Sequence, residues 1–284
     1  MLKKIFFAAA LLLASELIAK PVVIASIAPV EYLAKAVGGD KIEVQSLAKG
    51  DVHSYEPKPN DMKAVAKARI FIAAGLEFEE AWIPRFKASA KNLVVVKSDA
   101  KIAKLKEERG EQVEHDEKHE AHADPHVWLN PMLAITMARN ISDALIDMDK
   151  ANKDFYLENF QKLMNDLLAF DESAKESLAG LKNRKFVVYH PAWGYFAAHY
   201  DLEQISIERS GKEPKIDEMA STLKMIKDEN IKVIFADPNR SQKSAQILAS
   251  QTGAKVELLD PLGYNLLENL KIAVGAIKDA NSPK

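Results

Sequence analysis

The chain has 284 residues, 48% of them hydrophobic and 28% charged, a globular composition with room for two domains of ordinary size. A formal net charge of -2 lacks the basic excess with which nucleic-acid binders neutralise phosphates, so no nucleic-acid partner is expected. There are no cysteines, which excludes disulfides and leaves His, Asp and Glu as the possible metal ligands.

Residues 1–19 have the layout of a secretory signal peptide: Lys3 and Lys4, an apolar run over 5–14, then 15–19 ending on the small residue Ala19 before a cleavage point. The run is about half the length that a membrane-spanning helix needs. No cysteine follows it to carry a lipid, so the expectation is a periplasmic protein without a lipid anchor.

From Pro21 onward, short β-branched runs alternate with helical patterns. Residues 21–28, 42–47, 69–74 and 93–97 read as strands, and 30–37, 61–68 and 79–88 carry the apolar spacing of helices. The second half repeats the scheme, with strands at 186–189, 204–207, 233–236 and 256–259 and helices at 192–200, 216–229, 241–251 and 265–279. Alternation of this kind predicts parallel sheets flanked by helices. The expected fold is α/β: two lobes, 20–148 and 182–284, each with a four-stranded parallel sheet.

Between the lobes, 149–181 differs. Tyr156, Phe160, Leu163, Leu167, Phe170, Ala174 and Leu178 follow steps of three and four, the stripe of one long rigid helix. Asn152 or Asp149 is a candidate for its N-terminal cap. Residues 101–123 are highly charged and read as a surface loop carrying His115, His119 and His122. Within it, 115–119 (HDEKH) only superficially resembles a zinc-protease helix, since Asp116 stands where the glutamate should be. His199 is expected on a helix surface.

Candidate chemistry lies in four short segments. His53 opens HSYEPKPND just after the second strand; His126 sits in DPHVWLNP, framed by Pro125 and Pro131 beside Trp128. His190 follows the first strand of the second lobe in YHPAWGYF, and Asp260 follows the last strand in DPLG. Ligands of parallel α/β sheets bind beyond the carboxyl ends of strands, so residues placed there in both lobes can meet across a cleft. Histidine is the metal ligand best suited to a chain without cysteine.

The four segments, in this order, resemble those of the cluster A-I metal-binding receptors of ABC transporters, most nearly the periplasmic zinc-binding members of high-affinity zinc uptake systems. The resemblance runs from about Val22 to the C-terminus. It implies a solute receptor and not an enzyme, with His53, His126, His190 and Asp260 as metal ligands. It implies a monomer that hands its ion to an inner-membrane ABC permease with a separate ATPase subunit. Manganese members place a glutamate at the third position and zinc members a histidine, so His190 implies Zn2+ rather than Mn2+. Three imidazoles and one carboxylate suit tetrahedral zinc. The loop is shorter than in many zinc members, and Pro191 stands where they more often have an acidic residue. A manganese receptor or adhesin of the same family is the alternative, and a zinc-dependent hydrolase is the alternative of another class.

Overall fold

The computed structural model describes residues 19–106, 123–208 and 214–281. The expected signal segment up to residue 18 and the loop histidines His115, His119 and His122 lie outside the described residues. The base of that loop is described: Lys106 and Ala123 pair as an isolated antiparallel bridge.

The first lobe runs β1 (Val22–Ala25), α1 (Ala28–Gly38), β2 (Glu43–Ser46), α2 (Pro59–Val65), β3 (Ile70–Ala73), α3 (Glu77–Ser89), β4 (Val94–Lys97) and α4 (Pro131–Met148). Then come α5 (Lys153–Ala179), β5 (Lys185–Val188), α6 (Gly194–His199), β6 (Glu203–Ser206), α7 (Ile216–Asp228), β7 (Val233–Ala236), α8 (Lys243–Thr252), β8 (Lys255–Leu258) and α9 (Leu266–Asn281). All strand pairs are parallel, in orders β2-β1-β3-β4 and β6-β5-β7-β8. Both sheets thus reverse direction of growth beside their first strand, which opens a crevice at the strand carboxyl ends. The interior strands β3 (IFIA) and β7 (VIFA) are buried at every position, as strands covered on both faces must be.

The expected strands and helices lie where the sequence pattern puts them, within one to three residues at most ends. One further helix, α4, follows the His126 segment. Pro131 occupies its first turn, and the Asn130 side chain accepts N–H bonds from Met132 and Leu133, a strong start signal in Asn-Pro.

The long connecting helix is α5, 27 residues or roughly 40 Å. All seven residues of its apolar stripe are buried, and it packs against α4, α1 and α9. At Gly39 (φ 54), after α1, an added Cβ would lie 2.7 Å from the Phe155 ring of α5, so only glycine permits this approach. The start of α5 differs from expectation. A 3-10 turn, Lys150–Asn152, precedes it, and Asn152 makes no side-chain cap. Asp149 instead accepts from Asn152 Nδ2 at 2.7 Å and from the Tyr156 hydroxyl at 2.9 Å, so its carboxylate serves the tertiary packing of Tyr156.

His199 also departs from expectation. Its ring is partly buried rather than on an open helix surface, with Nε2 2.6 Å from Asp171 Oδ1 on α5, which fastens α6 to the long helix. One contiguous apolar core runs from the first sheet through the α5 stripe to Phe186, Val188, Phe235 and α9 of the second lobe. Smaller clusters fill the outer layer of each lobe.

Candidate metal centre

Three local devices bring three histidines into the cleft. Past β2, Asp51 closes a tight turn: its Oδ1 accepts the His53 backbone N–H at 3.2 Å and its Oδ2 the Ser54 hydroxyl at 2.9 Å. His126 leads into a 3-10 turn, Val127–Leu129, whose three residues are buried. Trp128 packs its ring against His126 (centroids 5.2 Å apart) and donates its indole N–H to the Pro261 carbonyl of the second lobe at 2.8 Å. His190 lies two residues beyond β5, at the crevice, and is 8% exposed.

The Nε2 atoms converge. His190 Nε2 lies 3.2 Å from His53 Nε2 and 3.4 Å from His126 Nε2. One ligand atom from each of the three falls within a 4.8 Å group. A tetrahedral ion with bonds of about 2.0–2.1 Å places its ligands about 3.3–3.4 Å apart, and these two edges match that figure.

The far sides of two rings are held by carboxylates. Asp124 Oδ1 accepts both the backbone N–H of His126 at 2.9 Å and a contact with its Nδ1 at 2.8 Å. Glu208 Oε2 lies 3.3 Å from His190 Nδ1. A carboxylate at Nδ1 keeps the proton on that nitrogen, so the lone pairs of His126 and His190 Nε2 face each other. In that tautomer both Nε2 atoms are available to one metal ion.

Electrostatics favour that reading. Burial, then repulsion from His126 and from the Arg240 guanidinium, lowers the His53 pKa to about 4. Burial, then His126, Arg240 and His53, holds His190 well below the ordinary imidazole range. Both rings are therefore neutral ligands at neutral pH.

Asp260 stands apart from this trio. It lies two residues beyond β8, and its Oδ1 accepts from Asn239 Nδ2 at 3.0 Å and the Leu262 backbone N–H at 2.8 Å. Among the described residues the group of possible metal ligands is His53, His126 and His190, without Asp260. Burial, with the Asp260 charge adding to it, raises the pKa of neighbouring Asp237.

Sequence reasoning passes over the supporting polar groups. Arg240, Glu208 and Asp237 surround the histidines, Asp51 stands two residues before the first motif, and Asp124 appears in the second without a role. Asp124, two residues before His126, was open to inference from spacing, because an Asx turn needs only that separation. Arg240 and Glu208 reach the site by tertiary pairing alone.

The family model described as "Zinc-uptake complex component A periplasmic" matches residues 23–280. The high-affinity zinc uptake system protein ZnuA of Bacillus subtilis (strain 168) is 30% identical over 279 residues, covering 91% of this chain and 86% of its own. A crystal structure of ZnuA superposes with a TM-score of 0.87 at 35% identity, covering 93% of this chain and all of that one. The laminin-binding protein Lmb of Streptococcus agalactiae, described as a bifunctional protein with adhesin and metal transporting activity, gives a TM-score of 0.81 at 26% identity. That alignment covers 93% of this chain and 100% of the Lmb chain.

Proposed function

The chain belongs to the family of periplasmic zinc-uptake component A, and from that premise we propose that it captures Zn2+ at His53, His126 and His190 and delivers it to an ABC-type permease. The observation that carries the reading is the convergence of three imidazole Nε2 atoms, with the two edges from His190 at the spacing of a zinc tetrahedron. The zinc ion here is cargo. Its exit requires a separate membrane permease and ATPase subunit, because the chain has no phosphate-binding loop of the GxxxxGK[ST] kind.

Three imidazoles favour zinc over manganese, which prefers oxygen. Asp260 is the proposed fourth ligand. It reaches the ion by turning its carboxylate away from Asn239 and Leu262, and water takes the position otherwise. A hydrolase would need a carboxylate poised to take a proton from metal-bound water. Asp124 and Glu208, behind two of the histidines, are committed to His126 and to Arg240, which favours a receptor over an enzyme. We further assign the lobes to 20–148 and 182–284 with 149–181 between them, and the mature protein to the periplasm as a monomer.

The test is calorimetric titration of the metal-stripped protein with Zn2+ and Mn2+, beside His190→Ala. The expected result is much tighter Zn2+ than Mn2+ binding, and a loss of about 3 kcal/mol, roughly 150-fold, in His190→Ala, one ligand's share of a structural zinc site. Preference for Mn2+, or parental affinity in His190→Ala, would overturn the reading.

A further inference from the structure

Arg240 lies just beyond β7, outside the ligand set, with a side chain 13% exposed. Each of its nitrogens faces a carboxylate. Nη1 donates to both oxygens of Glu208 at 2.9 Å, Nη2 donates to Asp51 Oδ1 at 3.0 Å, and Nε lies 3.9 Å from Asp237 Oδ2. Glu208 backs the ring of His190 in the second lobe, and Asp51 holds the turn that carries His53 in the first.

The geometry points to Arg240 as a positioning residue that ties the ligands of the two lobes together and sets how long the ion is retained, with His53 as the first ligand to leave. This rests on the histidine trio being the metal site.

The two arms of the guanidinium are unequal. The Glu208 side chain is 2% exposed, so the Arg240–Glu208 arm is sealed from water and stays with the second lobe. The Asp51 side chain is 37% exposed. An ion pair that water reaches is weak and opens readily. When that arm opens, the ion pair that ties the 51–54 turn to the second lobe is lost, and His53 is the ligand that follows it. His53 is half-buried, whereas His126 and His190 are 4% and 8% exposed and keep their carboxylates. The latch therefore hinges on Glu208 and opens at Asp51. A lysine cannot reproduce it, because one ammonium cannot bridge Glu208 and Asp51 with the planar fork.

The experiment measures release of Zn2+ from the loaded full chain into excess chelator by stopped flow, for the parent, Asp51→Asn and Arg240→Lys. Both variants are expected to release zinc about tenfold faster or more, within the range for groups that orient metal ligands, with association within about threefold of the parent. Asp51 is partly exposed, so Asp51→Asn folds even where an Arg240 variant does not. Because the chain has no cysteine, spin labels at Lys63→Cys and Lys224→Cys report the distance between lobes cleanly. Asp51→Asn should broaden that distance in the metal-free protein, and zinc should narrow it again. Parental release rates in both variants, or a loss carried by slower association, would overturn the latch. His190→Ala separates the two readings: if it loses zinc while Asp51→Asn and Arg240→Lys release it normally, the metal site stands and the latch falls.

Discussion

Replacing Asp124 by alanine probes how much of the affinity comes from holding a ligand still. Asp124 Oδ1 serves two groups of His126, the ring Nδ1 at 2.8 Å and the backbone N–H at 2.9 Å, and both residues are buried. Removing the ring contact frees the imidazole to turn and lowers the basicity of Nε2. Losses of this kind cost 10–100-fold in metal affinity, about 1.4–2.8 kcal/mol. The orphaned backbone N–H adds a separate cost of about 1–3 kcal/mol that weakens the metal-free fold too. Asp124→Asn retains a neutral acceptor for the N–H and should lose less on both counts. Equilibrium competition against a chromophoric zinc chelator, at fixed pH and salt, reads the first quantity, and thermal melting of the stripped protein reads the second. If Asp124→Ala binds zinc within threefold of the parent, the carboxylate is not orienting His126 and the argument from its geometry fails.

Asp260→Ala should weaken zinc binding less than His190→Ala, since two hydrogen bonds already occupy Asp260 Oδ1; an equal loss by calorimetry would mean the carboxylate swings fully onto the ion. In the metal-free protein His53 titrates at about 4, against about 6.5 when unfolded, so between those values the unfolded chain binds the extra proton. Metal-free stability should therefore fall by about 3 kcal/mol from this group as pH drops from about 6.5 to about 4, and His190 adds to it with the same sign. Urea midpoints that stay level from pH 7 to 4.5 would contradict this. Glu79 is 2% exposed, with its pKa pushed up to about 7 by burial, and accepts the backbone N–H groups of Ala74, Gly75 and Leu76. Glu79→Ala strands those donors and should cost about 3 kcal/mol or more in a melt, while zinc affinity of the folded fraction stays at the parental value.

The elements were legible because each carries its own periodicity. The short, β-branched runs IFIA and VIFA read as strands covered on both faces, and the stripe from Tyr156 to Leu178 as one helix. The histidine trio was legible from its places beside strand ends and prolines. What holds the trio was not, because Arg240 meets Asp51 across 189 residues and Glu208 across 32, and no local pattern encodes such pairs. The cap of α5 was misjudged for the same reason: Asp149 answers to Tyr156, whose place is set by packing. Helix α4 was not expected either, although its start is written locally in Asn130-Pro131.

The α5 helix also bears on how divisible this protein is. Its stripe belongs to a core shared by both sheets, so a cut at either end would leave a row of aromatic and aliphatic side chains bare to water. Neither half is expected to fold as a stand-alone module, and heat should melt the two sheets in one cooperative step. A chain assembled as two repeats of one theme thus behaves as a single thermodynamic unit.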